Sequence, residues 1–473
     1  MTLRHQPLQP LALTTLVASF GFALIQLDVT IVNVTLPTIA HALGVEVAGL
    51  QWVVDAYAVA FAALLLTGGY IGDRYGAKRV YLAGLTIFAT ASLLCGLAPD
   101  AALLVGGRVL QGVGAAAMLP CSLTLINHAA SGDPQQRARA IGWWTAAGSI
   151  TIAAGPIVGG LLLGIASWRS IFLVNLPVCL IGGWLMRRVA ESEGLAGERG
   201  FDLPGQIFGI VMLAALTAAV IEATPLGPGH PVVLGLALAG IAAAAVFIRH
   251  ESHAHAPMLP LGLFGARAFG GAVAYGAIVN LTYYGAVFVL SLYLQHVLGY
   301  APVIAGLAFL PLTATFFVVN LVSGWWVGRS GSRAPMIAGA LIDAVGFILL
   351  AALAGKATPY WQLAIAFVLI PGGMGLGVPA MTTAVLASVS QDRSGIASAV
   401  LNAARQAAGA MGVALFGALT GGASAHIVGG LRAAALVAAT LLIAAAVTAA
   451  TMIAAPRQSA SRSSRTLRSR PKG

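Results

Sequence analysis

Long runs of apolar residues, broken only by short charged connections, recur from Leu11 almost to the end of this chain and leave it few possible folds. A helix needs about 20 residues to cross a hydrocarbon core of ~30 Å. In lipid, each backbone N–H and C=O must be satisfied within the protein. Uniform runs of that length therefore form helices, and the alternating segments of about 10 residues that build a membrane barrel are absent. Soluble domains carry roughly 25% charged residues, whereas this chain has 8% charged and 59% hydrophobic residues. It reads as an all-α polytopic membrane protein. The runs predict about fourteen transmembrane helices, near 12–36, 48–71, 80–98, 101–127, 138–163, 169–188, 204–222, 232–249, 269–294, 303–327, 335–354, 361–388, 396–419 and 430–454.

Leu11 to Leu36 leads into further spans without a small-residue cleavage site, so the first span is expected to remain in the mature chain. Arg4, Arg74, Lys78, Arg79, Arg137, Arg139, Arg187, Arg188, Arg199, Arg249, Arg267, Arg329, Arg333, Arg393 and the tail Arg457–Lys472 all fall on one side of the predicted membrane. Arg169, Lys356 and Arg432 fall on the other. The positive-inside rule then makes both termini cytoplasmic and the chain a multi-pass protein of the cytoplasmic membrane. The net charge of +11 is spread over short loops and a Ser/Arg-rich tail, so the bilayer, and not nucleic acid, is the expected partner. Cys95, Cys121 and Cys179 lack paired or metal-type spacing and are expected to pack. His250, Glu251, His253 and His255 suggest either a metal site or a solvated connector, and the connector is the expectation. No G-x-x-x-x-G-K-[ST] run is present, which argues against ATP-driven transport by this chain alone.

The connection Gly69 to Arg79, GYIGDRYGAKR, is a tight charged turn between two apolar runs. Gly69, Gly72 and Gly76 permit close approach or positive φ. Asp73 can pair with Arg74 or with a basic residue on a neighbouring helix end, and Lys78 and Arg79 add further charge. Moving the sequence by 255 positions, Gly76 onto Gly331, lays GWWVGRSGSR over this turn and pairs Arg74 with Arg329, Lys78 with Arg333 and Gly84 with Gly339. The chain thus reads as a parallel duplication of two six-helix halves, an arrangement that puts a transporter's site at the half interface. The expected units are an N-terminal bundle over 1–190, a linker with two extra helices over 191–255, a C-terminal bundle over 256–455 and a basic disordered tail over 456–473.

A charge at the centre of a membrane helix costs roughly 2.5–3.5 kcal/mol on insertion scales, which marks intramembrane ionisable residues as functional candidates. With a rise of about 1.5 Å per residue, Asp28, Asp55 and Arg108 fall at similar depths on the first, second and fourth spans and can meet. Arg108, Gln111 and Gly112 share one helix face. Asp28 with Arg108 is the expected proton-coupled switch, Asp55 the second candidate, and a purely structural ion pair the alternative. On the first span Gln26, Thr30, Asn33 and Pro37 form one stripe, and Asp28 with Thr35 another nearly opposite; one of the two is expected to face the cavity. Asp343 and Arg405 are the second-half candidates, conceivable as a pair. Glu222 is expected at the interface. Asn280, Tyr283, Tyr284, Val287 and Ser291, at helical spacing, form a polar and aromatic wall suited to an amphipathic ligand, or else plain aromatic packing. Gly155, Pro156, Gly159 and Gly160 remove a backbone donor and supply small surfaces, predicting a bend and a close helix approach.

Several of these elements, in order on the predicted spans, resemble the major facilitator superfamily, specifically its fourteen-helix drug:proton antiporters of the EmrB/QacA type. They are LDVTIVNVTLP (Leu27–Pro37), the Gly69–Arg79 turn, Arg108 with Gln111 and Gly112, the G-P-x-x-G-G run at Gly155–Gly160, and WRSIFLVNLP (Trp168–Pro177). Ala77, where the loop motif usually has Arg, and Thr151, where Gly is usual one turn before Gly155, depart from the pattern. The resemblance implies two six-helix halves plus two extra helices. It implies proton-coupled efflux of a lipophilic drug or metabolite by alternating access, with the glycine turns and the Gly155–Gly160 run as gating elements. The proton gradient would be the energy source, with no cofactor, no bound metal and no enzymatic activity, in a bacterial, monomeric protein. Nutrient symport on the same scaffold and a non-transporting receptor are the alternatives.

Overall fold

The computed structural model describes residues 11–130, 134–190, 202–254, 257–389, 394–421 and 426–453. Arg4, Arg199, His255, Arg393 and the basic tail lie outside the described residues. The helices follow the apolar runs. They are α1 (Leu11–Leu43), α2 (Val47–Tyr75), α3 (Ala77–Leu97), α4 (Ala101–Ala129), α5 (Pro134–Ile165), α6 (Ser170–Leu173), α7 (Asn175–Met186), α8 (Leu203–Leu226), α9 (Pro231–Glu251), α10 (Arg267–Leu292), α11 (Pro302–Ala308), α12 (Leu310–Ser330), α13 (Arg333–Leu353), α14 (Tyr360–Ala387), α15 (Ser394–Thr420) and α16 (Ile427–Met452). A π-helical turn, Tyr293–Val297, prolongs α10.

Among the described residues, eleven helices are long and apolar enough to cross a membrane, and the bent α5 raises this to as many as twelve. α15 and the short α6–α7 pair are not among these, so the predicted count of fourteen is not reached on that measure. Exposed Leu, Ile, Val and Trp side chains along the outer faces, such as Leu238, Ile241, Leu321 and Trp325, suit contact with lipid tails.

The duplication is visible in the backbone. Gly44 (φ 63°) recurs as Gly299 (φ 70°), and Gly76 (φ 98°) as Gly331 (φ 72°), each in the left-handed region that favours glycine. The Gly76 amide closes α2 on the Gly72 carbonyl at 3.0 Å, and the Gly331 amide closes α12 on Val327 at 2.9 Å. Gly44 and Gly299 mark one face of the bundle, and Gly76 and Gly331 the opposite face. Under the same shift α2 falls on α11 plus α12, and α5 on α15.

Basic side chains tie each half together. Lys78 Nζ donates to the carbonyls of Val189 (2.6 Å) and Arg187 (3.1 Å), fastening the start of α3 to the end of α7. In the second half Arg333 Nη2 donates to Ala450 at 2.6 Å, fastening α13 to α16. At the opposite face Arg169 reaches Ala98 at 2.8 Å and Arg432 reaches Ala354 at 2.9 Å. Cations suit helix C-terminal carbonyls, which carry partial negative charge. Each half therefore has such a contact between its own helices at both faces.

The extra pair α8–α9 docks through α8. Gln206 donates to Ala63 at 2.9 Å and accepts from Thr67, and Glu222 accepts from Trp52 Nε1 at 2.9 Å, so α2 is gripped at both ends. The predicted solvated connector at His250 and Glu251 is instead an ordered junction. His250 Nε2 meets Asp202 Oδ1 at 2.6 Å, and Glu251, 3% exposed, accepts from the Leu259 amide at 2.9 Å. Among the described residues no cluster of His, Cys, Asp and Glu could hold a metal.

Candidate functional site

Polar residues that apolar helices cannot satisfy alone collect inside the N-terminal half. Asp28 on α1 is fully buried, and Arg108 on α4 is 1% exposed. Arg108 Nη1 forms an ion pair with Asp28 Oδ2 and also donates to Gln111 Oε1 at 2.8 Å, while Nε donates to the Val53 carbonyl at 2.9 Å. Gln111 Nε2 donates to Asp28 Oδ1 at 3.1 Å and to Ser92 Oγ at 2.9 Å. Asn175 Nδ2 donates to Asp28 Oδ1 at 3.0 Å and Ser92 Oγ at 3.3 Å. The guanidinium stacks over Tyr57, 4.4 Å from the ring centroid, with Phe172 at 5.9 Å. Taking one partner from such a pair leaves a buried charge uncompensated, at a cost of roughly 3–5 kcal/mol.

Of the three ionisable residues expected to meet, Asp28 and Arg108 do so and Asp55 does not. Asp55 is fully buried on α2 with neither carboxylate oxygen hydrogen-bonded. Asp343 on α13, 1% exposed, leaves Oδ1 unpartnered, and no ion pair joins it to Arg405. Arg405 on α15 is half-buried, with a buried, unpartnered Nε, and its electrostatic neighbour is Tyr284.

Arg108 also lines the central cavity. This space, about 30 Å³, lies between the halves and is walled by Val29, Val54, Tyr57, Ala58 and Arg108 from one half and by Tyr284, Gln406, Gly409, Ala410 and Val413 from the other. Drug-sized sites run to about 300–1,000 Å³, so a substrate enters only if the halves separate. Neither stripe predicted on α1 borders it; Val29, between them, does. Asp28 points into the N-terminal half, and the Asn33 amide is spent on the Val29 carbonyl at 2.9 Å. Asn280 likewise donates to Gly276 at 2.9 Å. Tyr284 reaches the cavity, whereas Tyr283 packs edge-on against it (centroids 5.5 Å apart) and beside Phe316.

Among the described residues, the hydrogen bonds between the halves sit toward the Gly44 face. Gln51 Nε2 donates to Ala414 (2.7 Å) and Val413 (3.3 Å), Ser291 Oγ donates to the Asn33 carbonyl, and Gln295 Nε2 donates to Val34 at 2.9 Å. The glycine-rich end of α5 closes the same face. A Cβ on Gly160 would lie 3.0 Å from the Pro302 oxygen and one on Gly159 2.9 Å from the Ile31 oxygen, while Gly155 is pressed against Thr30 and Gly306 against the Pro156 carbonyl. α5 bends by 40° between Arg139–Ile152 and Ala154–Ile165. Pro156 cannot donate to the Ile152 carbonyl, and the break sits there.

At the Gly76 face Gly72 packs on Cys121 and Gly69 lies beside Pro120. Arg74 Nη1 donates to the Tyr70 hydroxyl at 2.9 Å. Lys78, expected to gate, is committed to the α3–α7 staple within one half. Ser291, expected in the polar wall of α10, instead bonds across the seam to the Asn33 carbonyl, and Ser92, Asn175, Tyr57, Gln51 and Gln295 are site residues that sequence reasoning does not single out. Asn175 lies in the quoted Trp168–Pro177 element, and the rest carry only the weak signal of a polar atom in an apolar run.

The sequence matches the Major Facilitator Superfamily over residues 18–413, with a second, overlapping match over 276–472. A methylenomycin A resistance protein of Bacillus subtilis is 36% identical over 407 residues, covering 85% of this chain and 86% of its own. The multidrug resistance protein Stp of Mycobacterium tuberculosis is 35% identical over 407 residues, covering 86% of this chain and 75% of its own. A partially occluded inward-open structure of the xylose transporter XylE from E. coli superposes with a TM-score of 0.67 at 15% identity, covering 94% of this chain and 98% of that one. That likeness concerns the fold alone.

Proposed function

This chain belongs to the Major Facilitator Superfamily and is a membrane transporter, not an enzyme; on that premise we propose that it is a proton-coupled exporter of lipophilic drugs or metabolites working by alternating access. Its relatives are named for antibiotic and multidrug resistance, which supports export as the direction. We assign it to the fourteen-helix antiporters, with α15 and the α6–α7 pair counted as spans beside the bent α5. The Gly76 face is then cytoplasmic, since it carries Arg74, Lys78, Arg79, Arg329 and Arg333. The protein lies in the cytoplasmic membrane of a bacterium and works as a monomer, drawing on the proton gradient.

The observation that carries this reading is the position of the Asp28–Arg108 pair, enclosed in one half with its arginine also on the wall of the cavity between both halves. Protonating Asp28 removes the charge that holds the guanidinium, and Arg108 is then free to re-aim toward the cavity, toward substrate or toward the Tyr57 ring. Substrate that displaces Arg108 expels the proton in return. The seams at Gln51, Ser291, Gln295 and Gly155–Gly160 close the outer face in this state. The halves rock about the cavity to open it.

Everted vesicles from an expressing strain test the reading. Substrate should evoke proton release from the vesicle lumen in the wild type and none in Asp28→Asn. Proton movement of the opposite sign would indicate symport, and an unchanged response in the variant would remove Asp28 from the coupling.

A further inference from the structure

Arg405 stands out because every other intramembrane charge in the site is either matched or able to discharge itself. Arg108 is paired with Asp28, and Asp55 and Asp343 are carboxylic acids, a group that also exists in a neutral form. An arginine has no such recourse, because its guanidinium stays protonated in proteins. Among the described residues no ion pair includes Arg405, and its buried Nε has no hydrogen-bond partner. Asp343, the buried acid on α13 of the same half, forms no ion pair with it. A half-buried cation of this kind calls for an anion from outside the chain.

Its surroundings say what that anion is attached to. Arg405 lies between α15 and α10, its Cγ 3.4 Å from where a Cβ of Gly276 would stand, and its electrostatic neighbour is Tyr284, which lines the cavity. Arg405 does not itself wall that cavity; Gln406, the next residue, and Gly409, one turn on, do, so Arg405 stands beside it, one turn along α15 toward the Gly76 face. Across it stands Tyr57, whose buried hydroxyl also lacks a partner. The remaining walls are Val29, Val54, Ala58, Ala410 and Val413.

We propose that Arg405 is the head-group site of the exporter and that its substrates are lipophilic monoanions of the carboxylate class, the acid group on the guanidinium and the apolar body between Tyr57, Tyr284 and the valines. A carboxylate matches the planar fork of one guanidinium with two parallel hydrogen bonds. Tyr57 and Gln406 supply further donors, and Gly409, which has no side chain, lets the Tyr284 ring pack on α15, 3.1 Å from where a Cβ would stand. This rests on the export reading above and adds the substrate's charge to it.

The test measures binding of 2-naphthoate, 2-naphthamide and 2-naphthylmethylamine, three probes with one ring system and three charges, to the full chain in nanodiscs, with empty nanodiscs subtracted. Naphthoate should bind about tenfold or more tightly than the amide, as a hydrogen-bonded charge pair implies, and the amine most weakly. Arg405→Gln should abolish the preference for naphthoate, and Arg405→Lys, which keeps the charge but not the fork, should retain part of it. Equal affinity for acid and amide, tightest binding of the amine, binding of none of the three, or an undiminished preference in Arg405→Gln would each overturn the proposal. Comparison of the three probes on the wild type needs no variant to fold. Failure of the coupling assignment is read separately, as an unchanged proton response in Asp28→Asn while the preference for naphthoate persists.

Discussion

Gln51 on α2 donates from Nε2 to the Ala414 carbonyl on α15 at 2.7 Å, and this single buried amide spans the seam between the two halves. The next acceptor along, Val413, belongs to the cavity wall, so the latch sits directly on the outer rim of the site. Gly417, one turn further on α15, has no side chain and leaves the space in which the Gln51 amide lies.

Removing this latch should favour opening of the Gly44 face. Loss of a buried hydrogen bond costs about 1 kcal/mol or more, a factor of about five in a two-state population. Spin-label distances between the Gly44-face ends of α2 and α15 should lengthen in Gln51→Ala; an unchanged distribution would show that the seam is held elsewhere.

Asp28 and Arg108 should be energetically coupled. Arg108→Gln leaves a buried carboxylate and should lower stability by roughly 3–5 kcal/mol, whereas Asp28→Asn combined with Arg108→Gln removes both charges and should cost less than the sum of the two single changes. Unfolding of the four proteins in detergent gives the cycle, and additivity would mean that the pair does not act as one unit.

A side chain at Gly306 should jam the seam between α5 and α11. Its Cβ would meet the Pro156 carbonyl, so Gly306→Val forces the helices apart at about 1–3 kcal/mol and should depress transport by holding the outer face open. Gly182→Ala on α7 is the control, because its Cβ would meet only the Leu85 Cδ2 at an ordinary 3.9 Å. Equal transport by the two variants would argue against a working seam.

Asp202, outside the spans, should give the α8–α9 junction an acid limit. Burial pushes its carboxyl up, but the Gly205 amide, the hydrogen bond and charge of His250 and a hydrogen bond with Glu251 together hold it below the ordinary 3.8. A carboxyl depressed in the folded state contributes stability above its unfolded pKa and loses it as pH falls through the folded one. Unfolding midpoints of wild type and Asp202→Asn should therefore differ at about pH 6, and the gap should narrow as the pH falls below the ordinary 3.8. A gap that stays constant over that range would mean that the carboxylate charge is not what holds the junction.

Much of the architecture is legible in one dimension because lipid imposes a strong local rule. Spans follow from runs of apolar residues, and the duplication follows from a glycine turn and its copy, since left-handed turns such as Gly76 and Gly331 tolerate few other residues. Asp28 and Arg108 are likewise visible, as charges costly to place in a membrane, and Gln111 as the polar residue one turn from Arg108 on the same helix face. Ser92 and Asn175 are not, because a serine or asparagine in an apolar helix is cheap enough to be ordinary, and only its neighbours reveal its use. The partners of Lys78 are hidden for a related reason: its carbonyl acceptors, on Arg187 and Val189, lie far along the chain.

The sequence by itself determined that this chain is a bundle of membrane helices in two related halves with a few buried charges, because hydrophobic length, charge cost and glycine conformation act on each segment locally. Tertiary structure alone decided which charges meet. It joined Asp28 to Arg108, kept Asp55 apart, left Arg405 without an acid, and set the seam at the Gly44 face. Those outcomes depend on which faces of distant helices pack together, at distances of a few ångströms that helical periodicity does not specify.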